Sequence, residues 1–194
     1  MKKILIIGCG LLGSSLVRRI SKKKLAKKIF IYEKSKLNII KIKKLRLPGT
    51  IIKSLKDDVK NPDLIIFCTP MSEYKGLILK INSFISSKTI ITDIGSSKVQ
   101  SSKVIKKFLK KGIQWIQSHP ITGSEVSGPE HGKSTMFENK WCVLIKDKKT
   151  SLKHLKVLNA FWKKIGSKTV VMNSEKHDKI FSITSHLPHL VAYN

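Results

Sequence analysis

What the chain is short of narrows it first. Cysteine occurs three times, at Cys9, Cys68 and Cys142, widely spaced and in no C-x-x-C pair. That argues against a disulfide framework and a cysteine-based zinc site, and leaves Cys9 and Cys68 as small packing residues. No apolar run approaches the roughly 20 residues that a membrane helix needs. Met1-Lys2-Lys3-Ile4-Leu5-Ile6-Ile7 starts like a signal peptide, but Gly8 cuts the run and no small-residue cleavage site follows. The expectation is a buried strand in a cytoplasmic protein. Acidic residues are scarce, 12 against 39 Lys and Arg, for a formal charge of +27. Such a charge attracts nucleic acid or an anionic membrane. Yet arginine stands only at positions 18, 19 and 46, and bidentate nucleic-acid contacts favour arginine. Aromatic residues are only 7% and follow the core pattern, whereas a single-strand site interleaves them with basic residues. Lysines scattered over nearly every expected helix and loop, beside abundant isoleucine, read as a codon-driven preference on solvated surfaces. No nucleic-acid or membrane partner is expected. The positive field still helps draw in an anionic substrate and cofactor.

What is present is an alternation of strand and helix signals. A chain of 194 residues holds one sizeable core, or one domain and part of another. Ile4 to Ile7 is a short apolar run before a glycine turn, as for a buried parallel strand. Leu12, Leu16, Val17 and Ile20 form a helical stripe. Strands are expected at Ile29–Tyr32, Ile51–Ile52, Asp63–Cys68, Lys88–Thr92, Trp115–Gln117, Trp141–Ile145 and Lys168–Met172. Further helices are expected from Leu37 to Leu45, Tyr74 to Ile85, Ser97 to Lys111, Leu152 to Ile165, and from Ser174 to the end, with Pro188 as a kink point. Residues 120–139, rich in Gly, Ser, Pro and Glu, read as a long functional loop. This order predicts an α/β fold with a mostly parallel, doubly wound sheet. Ligands then gather at the carboxyl ends of strands, where Gly8, Thr69, Gly95 and His119 all fall.

Gly8-Cys9-Gly10-Leu11-Leu12-Gly13 follows the first strand and opens the first helix, and Glu33 ends the second strand 20 positions later. That context turns a weak G-x-G-x-x-G string into a dinucleotide fingerprint. Gly8 permits the tight turn, Gly10 lets backbone approach a pyrophosphate, and Gly13 allows close helix–strand packing. Leu11 and Leu12 begin the helix whose N–H groups would face the phosphates. Glu33 would accept hydrogen bonds from ribose hydroxyls and repel a 2′-phosphate, which favours NAD over NADP, although the adjacent Lys34 softens that repulsion. His119 lies at a strand end ahead of Pro120, with Ser96 and Glu125 expected at the same sheet edge. A serine hydroxyl can hold one imidazole nitrogen while the other meets a substrate hydroxyl.

Three strings carry a resemblance. Asp93-Ile94-Gly95-Ser96-Ser97-Lys98, His119-Pro120-Ile121-Thr122-Gly123-Ser124-Glu125, and His177-Asp178 with Ser185-His186-Leu187-Pro188-His189 resemble the TyrA family, the prephenate, arogenate and cyclohexadienyl dehydrogenases of tyrosine biosynthesis. Ser127-Gly128-Pro129-Glu130 and Phe137-Glu138-Asn139-Lys140-Trp141-Cys142 are similar to the bacterial cyclohexadienyl subgroup. The resemblance implies oxidative decarboxylation of prephenate or arogenate. His119 would take the proton of the ring hydroxyl, hydride would pass from that carbon to nicotinamide, and loss of carbon dioxide would aromatise the ring. It further implies that Ser96 pairs with His119, that Glu125 stands near the substrate entrance, and that Thr69-Pro70 lines the nicotinamide side. His186 and His189 would serve the substrate, with His189 the better placed for substrate or nicotinamide. No metal is implied: His186 and His189 are three apart on a helix, but no nearby Cys or carboxylate completes a convincing set with them and His177.

Family members continue into a helical domain that forms a homodimer and supplies an arginine for the substrate carboxylate. The expected organisation here is therefore a cofactor domain over 1–172 and the start of a helical domain over 173–194. Alternatives are a cofactor-binding fragment with little or no activity, or another oxidoreductase of the same fold. A β-hydroxyacid dehydrogenase would rely on a later catalytic lysine and does not fit the His119 and His189 strings.

Overall fold

The computed structural model describes residues 1–56 and 59–183. Six strands form an all-parallel sheet in the order β3-β2-β1-β4-β5-β6: β1 (Lys3–Ile7), β2 (Lys28–Tyr32), β3 (Thr50–Ile52), β4 (Leu64–Phe67), β5 (Ile90–Asp93) and β6 (Gln114–Trp115). This is the strand order of a doubly wound dinucleotide fold, which reverses direction between β1 and β4.

The central strands are apolar because helices cover both faces of the sheet. Ile4 and Ile6 of β1 pack into one core with Leu16, Val17 and Ile20 of α1 (Leu11–Lys22) and Leu158, Phe161 and Trp162 of α5 (Leu152–Ile165). Leu5 and Ile7 pack into the other with Leu77 and Ile78 of α3 (Tyr74–Ile81) and Ile105 of α4 (Val99–Phe108). Between β2 and β3, α2 (Lys36–Lys44) is capped by the Ser35 hydroxyl, which accepts from the Asn38 N–H at 3.2 Å. Helices α3 and α4 stop short of the expected Ile85 and Lys111. Asn82 explains both ends: its amide nitrogen donates to the Phe108 carbonyl at 2.8 Å, and its oxygen accepts from the Lys110 N–H at 3.1 Å.

The expected sixth strand at Trp115–Gln117 is divided between two sheets. The chain leaves the large sheet after β6, with one more ladder bond from the Ile116 N–H to the Ile91 carbonyl at 2.8 Å. It then enters a second sheet, β7-β8-β9, made of β7 (Ser118–Pro120), β8 (Trp141–Ile145) and β9 (Lys168–Met172). There β7 runs antiparallel to β8, and β8 parallel to β9. The bend is fixed by polar groups: the Ser118 hydroxyl donates to the Asp93 carbonyl at 2.9 Å and is also bonded to Thr92.

The stretch between β7 and β8 is docked on α1. The Arg18 guanidinium donates to the Pro129 carbonyl at 3.1 Å, and the Ser15 hydroxyl accepts from the Lys133 N–H at 3.0 Å. Last comes α6 (Ser174–Phe181), capped by the Asn173 side chain, which accepts from the Lys176 N–H at 2.8 Å. Its His177 is fully buried.

Candidate functional site

The glycine loop takes the form its spacing requires. Gly8 has φ +88°, and a Cβ there would stand 2.8 Å from the Cys68 carbonyl oxygen. A Cβ at Gly13 would meet the Gly8 oxygen at 2.1 Å, so that glycine lets α1 lie close against the β1 turn. At Gly10 a Cβ would meet nothing within 4 Å. Gly10 is the N-cap of α1, with no side-chain cap and no acidic residue in the first turn. Leu11 and Leu12 begin that turn, half-exposed. Open space beside an uncapped helix N-terminus is what a pyrophosphate needs.

Glu33 follows β2 and is tied to this loop. Its Oε2 accepts from the Cys9 N–H at 2.7 Å and its Oε1 from the Ser35 N–H at 2.9 Å. The carboxylate borders a cleft of about 530 Å³ that Gly8, Ser35, Thr69 and Pro70 also line. Thr69 and Pro70, expected on the nicotinamide side, thus share a cleft with Glu33. Thr69 Oγ1 is buried with no hydrogen-bond partner among the described residues, which fits a site that takes a polar ligand. Lys34 pairs with Glu73 at 3.6 Å across exposed surface. Burial, with Glu33 alongside, pushes the Cys9 thiol up to about 12, so Cys9 is an unreactive packing group.

The second half of the site is built where β5 and β7 end. Asp93 and Lys98 are both 0% exposed and form an ion pair at 2.8 Å. Asp93 also accepts from Tyr74 Oη at 3.0 Å, Trp115 Nε1 at 3.3 Å and the Gly95 N–H at 3.3 Å. The Lys98 ammonium donates to the Ser118 carbonyl at 2.7 Å, one residue before His119. A buried charge needs such partners, and these lock the β5–α4 loop to β7. Gly95 belongs in that loop because a Cβ there would crowd both Asp93 Oδ2 and Tyr74 Oη at 3.2 Å.

His119, half-buried on β7, faces α6. Its Nδ1 lies 2.8 Å from Nε2 of His177, and His177 Nδ1 lies 2.7 Å from Asp178 Oδ1. The Phe181 ring stacks beside both, its centroid 5.0 Å from that of His119 and 4.6 Å from that of His177. Asp178 also closes the N-terminus of α4, accepting from the Lys98 N–H at 2.9 Å and the Val99 N–H at 2.8 Å. Burial pushes His177 below its ordinary 6.5, against the pull of Asp178. Burial also acts to raise Asp178, but the hydrogen bonds from Val99, His177 and Lys98 outweigh it and hold the carboxyl below its usual range. His177 is the partner that faces Nδ1 of the His119 ring. Ser96 is exposed on the β5–α4 loop, and Glu125 is exposed after β7. His186 and His189 lie outside the described residues. Sequence reasoning took His177-Asp178 only as part of a motif and a weak metal candidate; their closeness to His119 depends on the docking of α6.

Residues 16–171 match the family model described as "Prephenate dehydrogenase, nucleotide-binding domain". The chain is 31% identical over 192 residues to the cyclohexadienyl dehydrogenase of Zymomonas mobilis, covering 99% of this chain and 65% of that protein. It is 30% identical over 190 residues to the prephenate dehydrogenase of Bacillus subtilis, covering 97% of this chain and 51% of that one. Among solved structures, prephenate dehydrogenase from Aquifex aeolicus, in complex with hydroxyphenyl propionate and NAD+, superposes with a TM-score of 0.91 at 30% identity, covering 100% of this chain and 67% of that chain. The chain thus spans about half to two thirds of the length of these relatives. With the family model covering most of its length, the chain belongs to the prephenate dehydrogenase family and contains that family's nucleotide-binding domain.

Proposed function

We propose that this protein binds NAD at the Gly8–Gly13 loop and Glu33 and catalyses oxidative decarboxylation of prephenate or arogenate, with His119 as the general base. The observation that carries the proposal is the His119 ring, half-buried in the middle of β7 and held through Nδ1 by a buried partner. Gly10 and the first turn of α1, including Leu11 and Leu12, would hold the pyrophosphate, and Glu33 the ribose hydroxyls. NAD, when bound, supplies the hydride acceptor. His119 takes the hydroxyl proton, and loss of the ring carboxylate as carbon dioxide leaves its electron pair to aromatise the ring. Ser96, Gly95 and Glu125, on the loops that border His119, are proposed to contact the reacting groups, and His186 and His189 to contact substrate.

Among the described residues no helix is long and apolar enough to cross a membrane, and we assign the protein to the cytoplasm. We place a domain boundary at 172/173, so that α6 opens a helical unit through which the protein forms a homodimer. Ile183, exposed past the end of α6, suits such a contact. A spectrophotometric assay with prephenate and with arogenate, each with NAD and with NADP, in a chain extended to the length of the relatives, tests the activity. NADH formation with either substrate supports it; NADH formation with neither overturns it.

A further inference from the structure

We propose that Asp178 is a positioning residue that selects the tautomer of His119 through His177, so that Nε2 of His119 is the nitrogen presented as proton acceptor. The proposal rests on His119 being the base. It follows from donor and acceptor counting along one chain of atoms. Asp178 is an ionised carboxylate and can only accept. Its Oδ1, 2.7 Å from His177 Nδ1, therefore requires the His177 proton on Nδ1. Neutral His177 then has a bare Nε2, which can only accept. His119 Nδ1, 2.8 Å away, must supply the proton of that bond. A neutral His119 with its proton on Nδ1 has none on Nε2, which is the state a general base requires.

The hydrogen bonds to α4 make Asp178 hard to replace. Its two oxygens accept from the Lys98 and Val99 N–H groups as well as from His177. An asparagine there has one oxygen. Turned toward His177, it would aim its NH₂ at two backbone donors. The favoured orientation keeps the oxygen on α4 and points the NH₂ at His177 Nδ1. That amide donates, so His177 must move its proton to Nε2, and His119 must then accept through Nδ1 and carry its own proton on Nε2. Asp178→Asn thus reverses both tautomers while keeping the Val99 N–H bond of the cap, and the Lys98 N–H, 2.9 Å from Oδ1 and 3.2 Å from Oδ2, turns to the one remaining oxygen.

Long-range ¹H–¹⁵N correlation on the 194-residue chain at pH 8, without substrate, reads the tautomers directly. The expected result is Nδ1–H on both His119 and His177 in the parent protein, and Nε2–H on both in Asp178→Asn. Asp178→Glu keeps a carboxylate and is expected to retain the parent pattern. Nε2–H on His119 in the parent chain, or an unchanged pattern in a folded Asp178→Asn, would overturn the proposal. If Asp178→Asn does not fold, the parent spectrum decides alone. Because no turnover is involved, the result stands apart from the assignment of His119 as base, which His119→Asn tests separately. In the active protein, the reversed tautomers should lower kcat by ~10²–10⁴-fold, the range for loss of a general base, with the KM for NAD unchanged.

Discussion

At the scale of single residues, Glu33 and His177 carry the sharpest expectations. A carboxylate fixed beside the glycine loop by the Cys9 and Ser35 N–H groups cannot easily withdraw from a 2′-phosphate. NAD should therefore bind more tightly than NADP in fluorescence titrations of both. Equal or tighter NADP binding would remove Glu33 from cofactor selection. His177 makes a statement about pH. Its pKa is depressed in the folded state by burial, so between that value and its unfolded value near 6.5 the unfolded chain holds more protons. Stability is then full above about pH 6.5 and falls as the pH drops through that window. Asp178, also depressed, adds a loss in the same direction at more acid pH. Thermal unfolding from pH 8 to pH 5 should show the decline, and His177→Gln should flatten it between about pH 7 and 5. An unchanged slope would mean that His177 is not held neutral. The place of Glu33 just after β2 was legible in sequence because its spacing from Gly13 is set by one helix and one strand. Arg19 was not. It is 3% exposed and donates to the Ile165 carbonyl at 2.6 Å and to Glu138 at 2.5 Å, partners that no local pattern announces.

At the scale of elements, strands were easier to read than their partners. A run such as Leu64–Phe67 declares itself buried through composition. The stretch from Gln114 to Pro120 carries no mark saying that its first half joins one sheet and its second half another. That division is made by polar groups buried between β5 and β7. Lys98 sits at the centre of it, and in the sequence it stood out only as the last residue of the Asp93–Lys98 string. Lys98→Met would leave the Asp93 carboxylate buried without its cation. Removing one partner of a buried pair costs about 3–5 kcal/mol, so urea unfolding should show a loss of that order. A change within about 0.5 kcal/mol, as at ordinary surface positions, would show that Tyr74 and Trp115 suffice for Asp93. Helix ends were similarly opaque, since α3 and α4 are both closed by Asn82, whose bonds cross from one helix to the other.

At the scale of the whole molecule, the mostly parallel, doubly wound sheet and the glycine loop after its first strand were predictable because each follows from order along the chain. The relation between the two sheets and α6 was not, because it is decided by contacts between distant segments. The sheet has its own core on both faces, so the 194-residue chain should fold and bind NAD without the remaining length of its relatives. Ile180 and Ile183 are 36% and 60% exposed near the end of α6. Sedimentation should therefore show self-association that weakens when both are changed to Ser. A strictly monomeric parent chain would contradict an interface at this end. The central claim is that His119 is the proton acceptor and the glycine loop a separate cofactor site. Its most direct test is His119→Asn in a chain extended to the length of its relatives, with turnover and NAD affinity measured side by side. Turnover should fall by ~10²–10⁴-fold while the dissociation constant for NAD stays within about twofold, well under the 1.4 kcal/mol of a tenfold change. A variant that keeps most of its rate would contradict the account.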